Sequence, residues 1–372
     1  MIKYIGSKRL LVPHILRGIS AFPESRRVLD LFSGTSRVAR ALKATGRFVT
    51  ANDHLAYAAT LARCYVQADA TRWLDEAKRL IEDLSSLPPQ PGYFTRAFCE
   101  EARYFQPHNG ARIDSIREEI ARRVLPAELE AIALVALMEA ADRVDSTTGV
   151  QMAYLKRWAA RAFNDLELRM PAILPGPGLA LQLEALAAAS QTDADVAYID
   201  PPYNQHSYMG NYHVWETLVR WDKPQTYGVA NKRIQCKGYK SDFNSKRRIH
   251  QSLGALLDAV RCKHLLVSFN NEGYVDRDEM VDLLSMKGHV GVVSVDFKRY
   301  VGAQIGIHNP NGEKVGRVSH LRNREFLFVV SPSSKTVDAV VTAIESSIGS
   351  AVLARRSSKS KREGHDSERR VE

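Results

Sequence analysis

Asp200-Pro201-Pro202-Tyr203 follows directly on the apolar run Val196-Ala-Tyr-Ile199. An acid, two prolines and an aromatic ring in that order suit methyl transfer to an exocyclic amine. Such an amine is a poor nucleophile because its lone pair is delocalised into the ring that carries it. A carboxylate at Asp200 and a backbone carbonyl at Pro201 can each accept one of its two N–H bonds, which leaves the lone pair free to attack. The prolines hold the two acceptors so that they converge, which is preorganisation rather than added reactivity. Tyr203 offers a flat face on which an unstacked base can rest. The competing reading is a proline-stiffened turn after a strand.

Three further positions carry chemistry. In Asp30-Leu-Phe32-Ser-Gly34-Thr-Ser36, a glycine just after a strand lets the chain turn tightly beside a nucleotide-like ligand. The spacing is not GxGxxG, so no phosphate cradle is implied. Asp53 stands about twenty residues beyond Asp30 at the end of the next strand, where an acid grips ribose hydroxyls or caps a helix. Lys3-Tyr4-Ile-Gly-Ser-Lys8 sets an aromatic ring and a cation where they can close over a ligand bearing an adenine and a carboxylate; read alone, it is a basic, solvated helix start.

The elements that must position these residues alternate at first. Arg27 to Phe32 and Arg47 to Asp53 read as strands flanking a helix from Arg37 to Thr45, a βαβ unit with parallel pairing and a right-handed crossover. From about Tyr57 to Met170 helical spacing dominates, broken by Leu87-Pro-Pro-Gln-Pro-Gly92. Strands return after Pro171 to Gly178, at 196–199, 264–269, 290–297 and 325–330. The expected fold class is therefore α/β, a mostly parallel Rossmann-like sheet interrupted by a helical insertion. Its expected parts are 1–56 and 173–335 as the two pieces of the core, 57–172 as the insertion, and 336–372 as a helix remnant with a disordered basic tail.

Together and in this order the motifs resemble the Dam-type (alpha-group) DNA adenine-N6 methyltransferases, including their restriction-modification members. KYIGSK, DLFSGTS, NDHL and YIDPPYNQ carry the match from Met1 to about Val330. His213-Val-Trp-Glu216, Val267-Ser-Phe-Asn-Asn-Glu-Gly273, Asn323-Arg-Glu-Phe-Leu and Asp145 to Lys156 extend it. The resemblance implies an AdoMet-dependent methyltransferase core, catalysis by Asp200, Pro201, Pro202 and Tyr203, and S-adenosyl-L-methionine contacts at Tyr4, Lys8, Asp30, Phe32, Gly34, Asp53 and Asp200. It implies no metal. Two departures stand out: Ser36 occupies the place of a usual second glycine, and Glu184 is the nearest acid to one the family often has in the strand before the catalytic one. Glu184 reads equally as a solvated helix residue. The alternatives in function are cytosine-N4 methylation and a non-catalytic DNA-binding regulator on the same fold.

The target atom lies inside the duplex, so the base must be flipped at a cost of a few kcal/mol recovered through stacking and backbone contacts. Of the formal net charge of +10 over 372 residues, most sits in two places. Residues 231–248 hold seven cations (Lys232, Arg233, Lys237, Lys240, Lys246, Arg247 and Arg248) against Asp242, with Tyr239 and Phe243 interleaved; the expectation is a flexible loop that tracks phosphates. Residues 354–372 add seven cations against four acids, and the remaining chain is nearly neutral. Sequence readout is expected near Ser146 to Trp158, through Lys156 and Arg157, and Gly210, Asn211, Tyr212 and His213 are candidate pocket residues. Hydrophobic content of 45% indicates an ordinary globular chain, and four scattered cysteines read as reduced thiols. The expected partners are double-stranded DNA and a cognate restriction endonuclease. The expected state is a monomer or weak dimer in the cytoplasm at the nucleoid, without a membrane span or signal segment.

Overall fold

The computed structural model describes residues 1–298, 307–308, 314–316 and 322–350; the basic tail from 354 lies outside them. Seven strands form one sheet: β1 (Arg27–Asp30), β2 (Phe48–Asn52), β3 (Gly178–Leu181), β4 (Val196–Ile199), β5 (His264–Asn270), β6 (His289–Lys298) and β7 (Arg322–Ser331). Their order is β3-β2-β1-β4-β5-β7-β6. The first five run parallel, and β7 enters antiparallel between β5 and β6. The expected strands are all present, and β3 is an addition. Its tetrapeptide Gly-Leu-Ala-Leu, as short as β1 and β4, lacks the β-branched residues that mark a strand in sequence.

Alternation along the strands feeds two cores. Val28 and Tyr198 face one side, where α1 (Val12–Ala21), α2 (Arg37–Lys43) and a helix over 334–350 supply Ile15, Leu42 and Ile344. Leu29, Ala197 and Ile199 face the other, against α7 (Ala185–Gln191), α9 (Ile249–Ala259) and α10 (Arg277–Ser285), which supply Ala188, Leu253 and Met280. Helices on both faces of a mainly parallel sheet are what crossover connections require.

Residues 56–144 are mainly helical, as α3 (Ala56–Ala62), α4 (Ala70–Ser85), α5 (Pro107–Arg122) and α6 (Ala127–Val144) show. In α4, Trp73, Ala77, Leu80, Ile81 and Leu84 form one apolar face, and Asp69 caps its start by accepting from Thr71 N at 2.9 Å. α6 is buried nearly all round and forms the centre of a third core. That core also takes Val214, Trp215 and Leu218 from α8 (His213–Arg220), which lies downstream of the tetrad, and Tyr212 just ahead of it. Among the described residues no helix is long and apolar enough to cross a membrane.

Candidate active site

The strand order reverses between β1 and β4, and in open α/β sheets a crevice opens outside the carboxyl ends at such a switch point. Asp30 ends β1, Asp53 follows β2 and Asp200 follows β4, so three carboxylates far apart in sequence reach one cavity. The empty space it encloses, counted together with the part open to solvent, is about 880 Å³. Tyr4, Lys8, Phe32 and Gly34 also line it, so every residue expected to touch a cofactor is on its wall.

Gly34 has φ +50°, and a Cβ there would stand 3.2 Å from the Tyr4 ring, so this turn needs glycine on both counts. Its N–H donates to Asp53 Oδ2 at 3.0 Å, and Leu55 N–H donates to Oδ1 at 3.1 Å, which fixes the Asp53 carboxylate against the glycine turn. Ser36 adopts the left-handed conformation that favours glycine, with φ 57° and ψ 24°. Tyr4, Tyr212 and Tyr208 form a cluster of near-parallel rings, Tyr4 lying 4.6 Å from Tyr212 and 5.3 Å from Tyr208 by centroid.

Lys8 is buried, with Nζ 3.0 Å from Asp200 Oδ1 and bonded to Glu325 of β7. Ser268 Oγ donates to the same Glu325 oxygen at 3.0 Å. In this arrangement the lysine charge is directed at the tetrad, and Glu325, whose motif was visible but whose role was not, is its second partner. Burial pushes the Asp200 carboxyl up to about 6, against the pull of Lys8 and with a further rise from Glu325. Burial, with Asp200 next in importance, pushes Asp30 up to about 8. Tyr203 packs on Phe269 at 5.2 Å, and its hydroxyl accepts from Asn270 Nδ2 at 2.7 Å, so its ring is held by the adjoining strand β5.

The other expected positions divide. Gly210 to His213, the candidate pocket residues, do not line the cavity; Tyr208, which the sequence reading did not single out, does. Tyr212 is buried with its hydroxyl accepting from Ile5 N at 2.6 Å, and His213 is buried with Nε2 2.9 Å from the Gln151 carbonyl. Both rings are taken up by the helical core. Glu184 is exposed at the cavity edge, just ahead of α7. Of the basic loop, Arg233 is a correction: it is buried and forks onto Asp222 at 2.7 and 2.5 Å, because a guanidinium this enclosed requires a carboxylate partner, and so it does not face outward. Lys232 is half-buried, and Lys237, Lys240, Lys246, Arg247 and Arg248 are exposed, with Arg248 paired to Asp242 at 2.9 Å. Tyr239 and Phe243 turn to the cavity. In the segment expected to read sequence, Ser146, Thr147 and Gln151 are buried, while Lys156 and Arg157 are exposed.

An open, mainly parallel sheet with an acid-lined cavity at its switch point and Asp-Pro-Pro-Tyr beside it has the features of the S-adenosyl-L-methionine-dependent methyltransferases. The chain belongs to the D12 class N6 adenine-specific DNA methyltransferases, whose family model matches residues 4–283. It is 29% identical over 321 residues to the modification methylase StsI of Streptococcus sanguinis, covering 80% of this chain and 48% of that protein. It is 27% identical over 338 residues to the type II methyltransferase M.NlaIII of Neisseria lactamica, covering 87% and 99% of the two chains. To M.CviAII of Paramecium bursaria Chlorella virus 1 it is 30% identical over 315 residues, 80% and 92% of the chains. The chain thus spans about half the length of the StsI protein and nearly all of the other two.

The site's own chemistry fits the cofactor this family generally uses. Asp30 lines the cavity, and its Oδ1 is buried without a hydrogen-bond partner, while Oδ2 accepts from Ala39 N at 3.1 Å. An unsatisfied buried acceptor beside two more carboxylates favours a cationic ligand with N–H donors.

Proposed function

We propose that this chain binds S-adenosyl-L-methionine in the cavity and methylates the N6 amine of an adenine flipped out of double-stranded DNA, in partnership with a restriction endonuclease of the same site preference. The observation that carries the reading is that Asp200 is shared: it heads the tetrad and lines the cavity, so an amine bound by the tetrad meets whatever the cavity holds. Asp30 would hold the cofactor's ammonium, Asp53 its ribose hydroxyls, and Tyr4, Phe32 and Gly34 its apolar and close-packed parts. When bound, the cofactor supplies an electrophilic methyl group on a positively charged sulfur.

The chain's residues do the rest. Asp200 and the Pro201 carbonyl accept the two N–H bonds and free the lone pair for in-line attack. Tyr203 holds the base by its face. Asp200, with a carboxyl near 6, stands beside the nitrogen to take the proton it must lose. Pro202 stiffens the turn. Exposed Lys156 and Arg157 are the readout candidates in the helical insertion 57–172, and the exposed cations of 237–248 are the phosphate contacts.

Incubation with methyl-labelled cofactor and DNA, followed by nucleoside analysis, tests this. Label is expected in N6-methyladenine and is expected to vanish with Asp200→Ala. Label in N4-methylcytosine would move the reading to cytosine, and no transfer despite cofactor and DNA binding would leave a regulator.

A further inference from the structure

The chain between Arg233 and Asn244 leaves the fold and returns to it. One end is fixed by the buried Arg233, which donates to Asp222 and, at 3.2 Å, to Thr217 Oγ1. The other is fixed just behind the tetrad, where Asn244 Nδ2 donates to the carbonyls of Asn204 and His206 at 2.6 and 3.2 Å. Between these anchors Tyr239 folds inward and stacks on His54 at 5.1 Å and 21°, its hydroxyl bonded to His54 Nε2. His54 Nδ1 lies 3.7 Å from Asp53 Oδ1, so Tyr239 rests on the neighbour of the proposed ribose-binding acid. Phe243 meets Phe32 of the glycine turn edge-on at 5.4 Å. The outward side carries exposed Lys237 and Lys240, and exposed Lys246 and Arg247 follow the Asn244 anchor.

We propose that residues 237–243 form a two-faced strap in which Tyr239 and Phe243 wall the cofactor cavity while Lys240, with Lys246 and Arg247 just beyond the Asn244 anchor, meets DNA phosphates, so that bound DNA holds the strap closed and slows cofactor exchange. The proposal rests on the cofactor and DNA reading above and adds a cofactor-contacting residue, Tyr239, and a coupling to it. To the extent that closure also tightens cofactor binding at equilibrium, linkage requires cofactor to tighten DNA binding by the same factor. The strap needs only a shallow hinge, because one stacked ring and one hydrogen bond hold its middle to His54.

Calorimetry with S-adenosyl-L-methionine, and release of labelled S-adenosylhomocysteine with and without linear plasmid DNA, test it. Tyr239→Ala is expected to weaken cofactor binding about fivefold, the scale of one lost aromatic stack, with the melting midpoint held, while Tyr239→Phe keeps most of the affinity. In the wild type DNA is expected to slow release, and a Lys240→Glu, Lys246→Glu, Arg247→Glu variant is expected to lose that slowing. Unchanged binding in Tyr239→Ala, or release indifferent to DNA in the wild type, would overturn the strap while leaving the enzyme reading in place. Failure of the wild type to bind cofactor at all would overturn both. Should Tyr239→Ala not fold, the charge variant still decides, since it keeps the ring: slowing of release by DNA that survives the three Glu substitutions would overturn the strap.

Discussion

At the scale of single residues the site turns on one lysine between two carboxylates. To accept an N–H, Asp200 must be ionised, and burial opposes ionisation by lifting its carboxyl to about 6. Lys8 at 3.0 Å is what keeps the rise that small, and Glu325 draws part of the same charge. As pH falls through about 6 the carboxylate takes a proton and the acceptor is lost, so kcat/KM for the cofactor is expected to drop about tenfold per unit on the acid side. Lys8→Met removes the stabilising cation and is expected to move that limb to higher pH, beyond any uniform loss in rate. A pH profile of kcat/KM for both proteins checks this; a limb that stays in place in Lys8→Met would mean that another group titrates. The tetrad was legible in sequence because two prolines beside an acid and an aromatic are rare together. Glu325 was not, because its partners lie far away in sequence: the β5–β7 pairing brings Ser268 to it, and Lys8 comes from the N-terminal segment.

At the scale of elements, the sequence showed where strands end but not how they are ordered. Val196 to Ile199 is read correctly to the residue because a continuous apolar run bounded by a polar turn and by Asp-Pro-Pro leaves little choice. The order that puts β1 beside β4 depends on long-range pairing that no local pattern records. The inward turn of Arg233 was invisible for a similar reason: a guanidinium in a run of cations looks solvated until Asp222 is found beside it. The glycine turn shows a local departure being absorbed. Ser36 adopts a left-handed conformation that costs an L-residue roughly 1–2 kcal/mol, and its buried hydroxyl has no hydrogen-bond partner and makes no cap to α2. Ser36→Gly is therefore expected to raise the melting midpoint by roughly 1–3 °C and to leave cofactor affinity intact. Differential scanning calorimetry reads the shift, and a lower midpoint would show that the hydroxyl carries an interaction worth more than the relief of strain.

At the scale of the whole molecule, charge placement is the property that sets how the chain meets DNA. Seven cations in residues 231–248 suggested seven phosphate contacts, but Arg233 is internal, Arg248 is held by Asp242 and Lys232 is half-buried. Lys237, Lys240, Lys246 and Arg247 remain as the exposed and least committed cations of this segment. Each phosphate neutralised contributes about 0.9 to the slope of log K against log salt. Replacing Lys240, Lys246 and Arg247 by Gln is thus expected to flatten the slope by up to about 2.7, with the largest loss of affinity at low salt. Arg233→Gln sets the contrast. It removes the same formal charge from the same segment, yet it is expected to leave the slope unchanged and to lower the melting midpoint, because the guanidinium answers Asp222 and Thr217 rather than a phosphate. Fluorescence anisotropy on one duplex across a salt series separates the two. Equal slopes in the triple variant and the wild type would remove this loop from the DNA interface, and a flattened slope in Arg233→Gln would mean that the anchor, by releasing the strap, governs the contact as much as the exposed cations do.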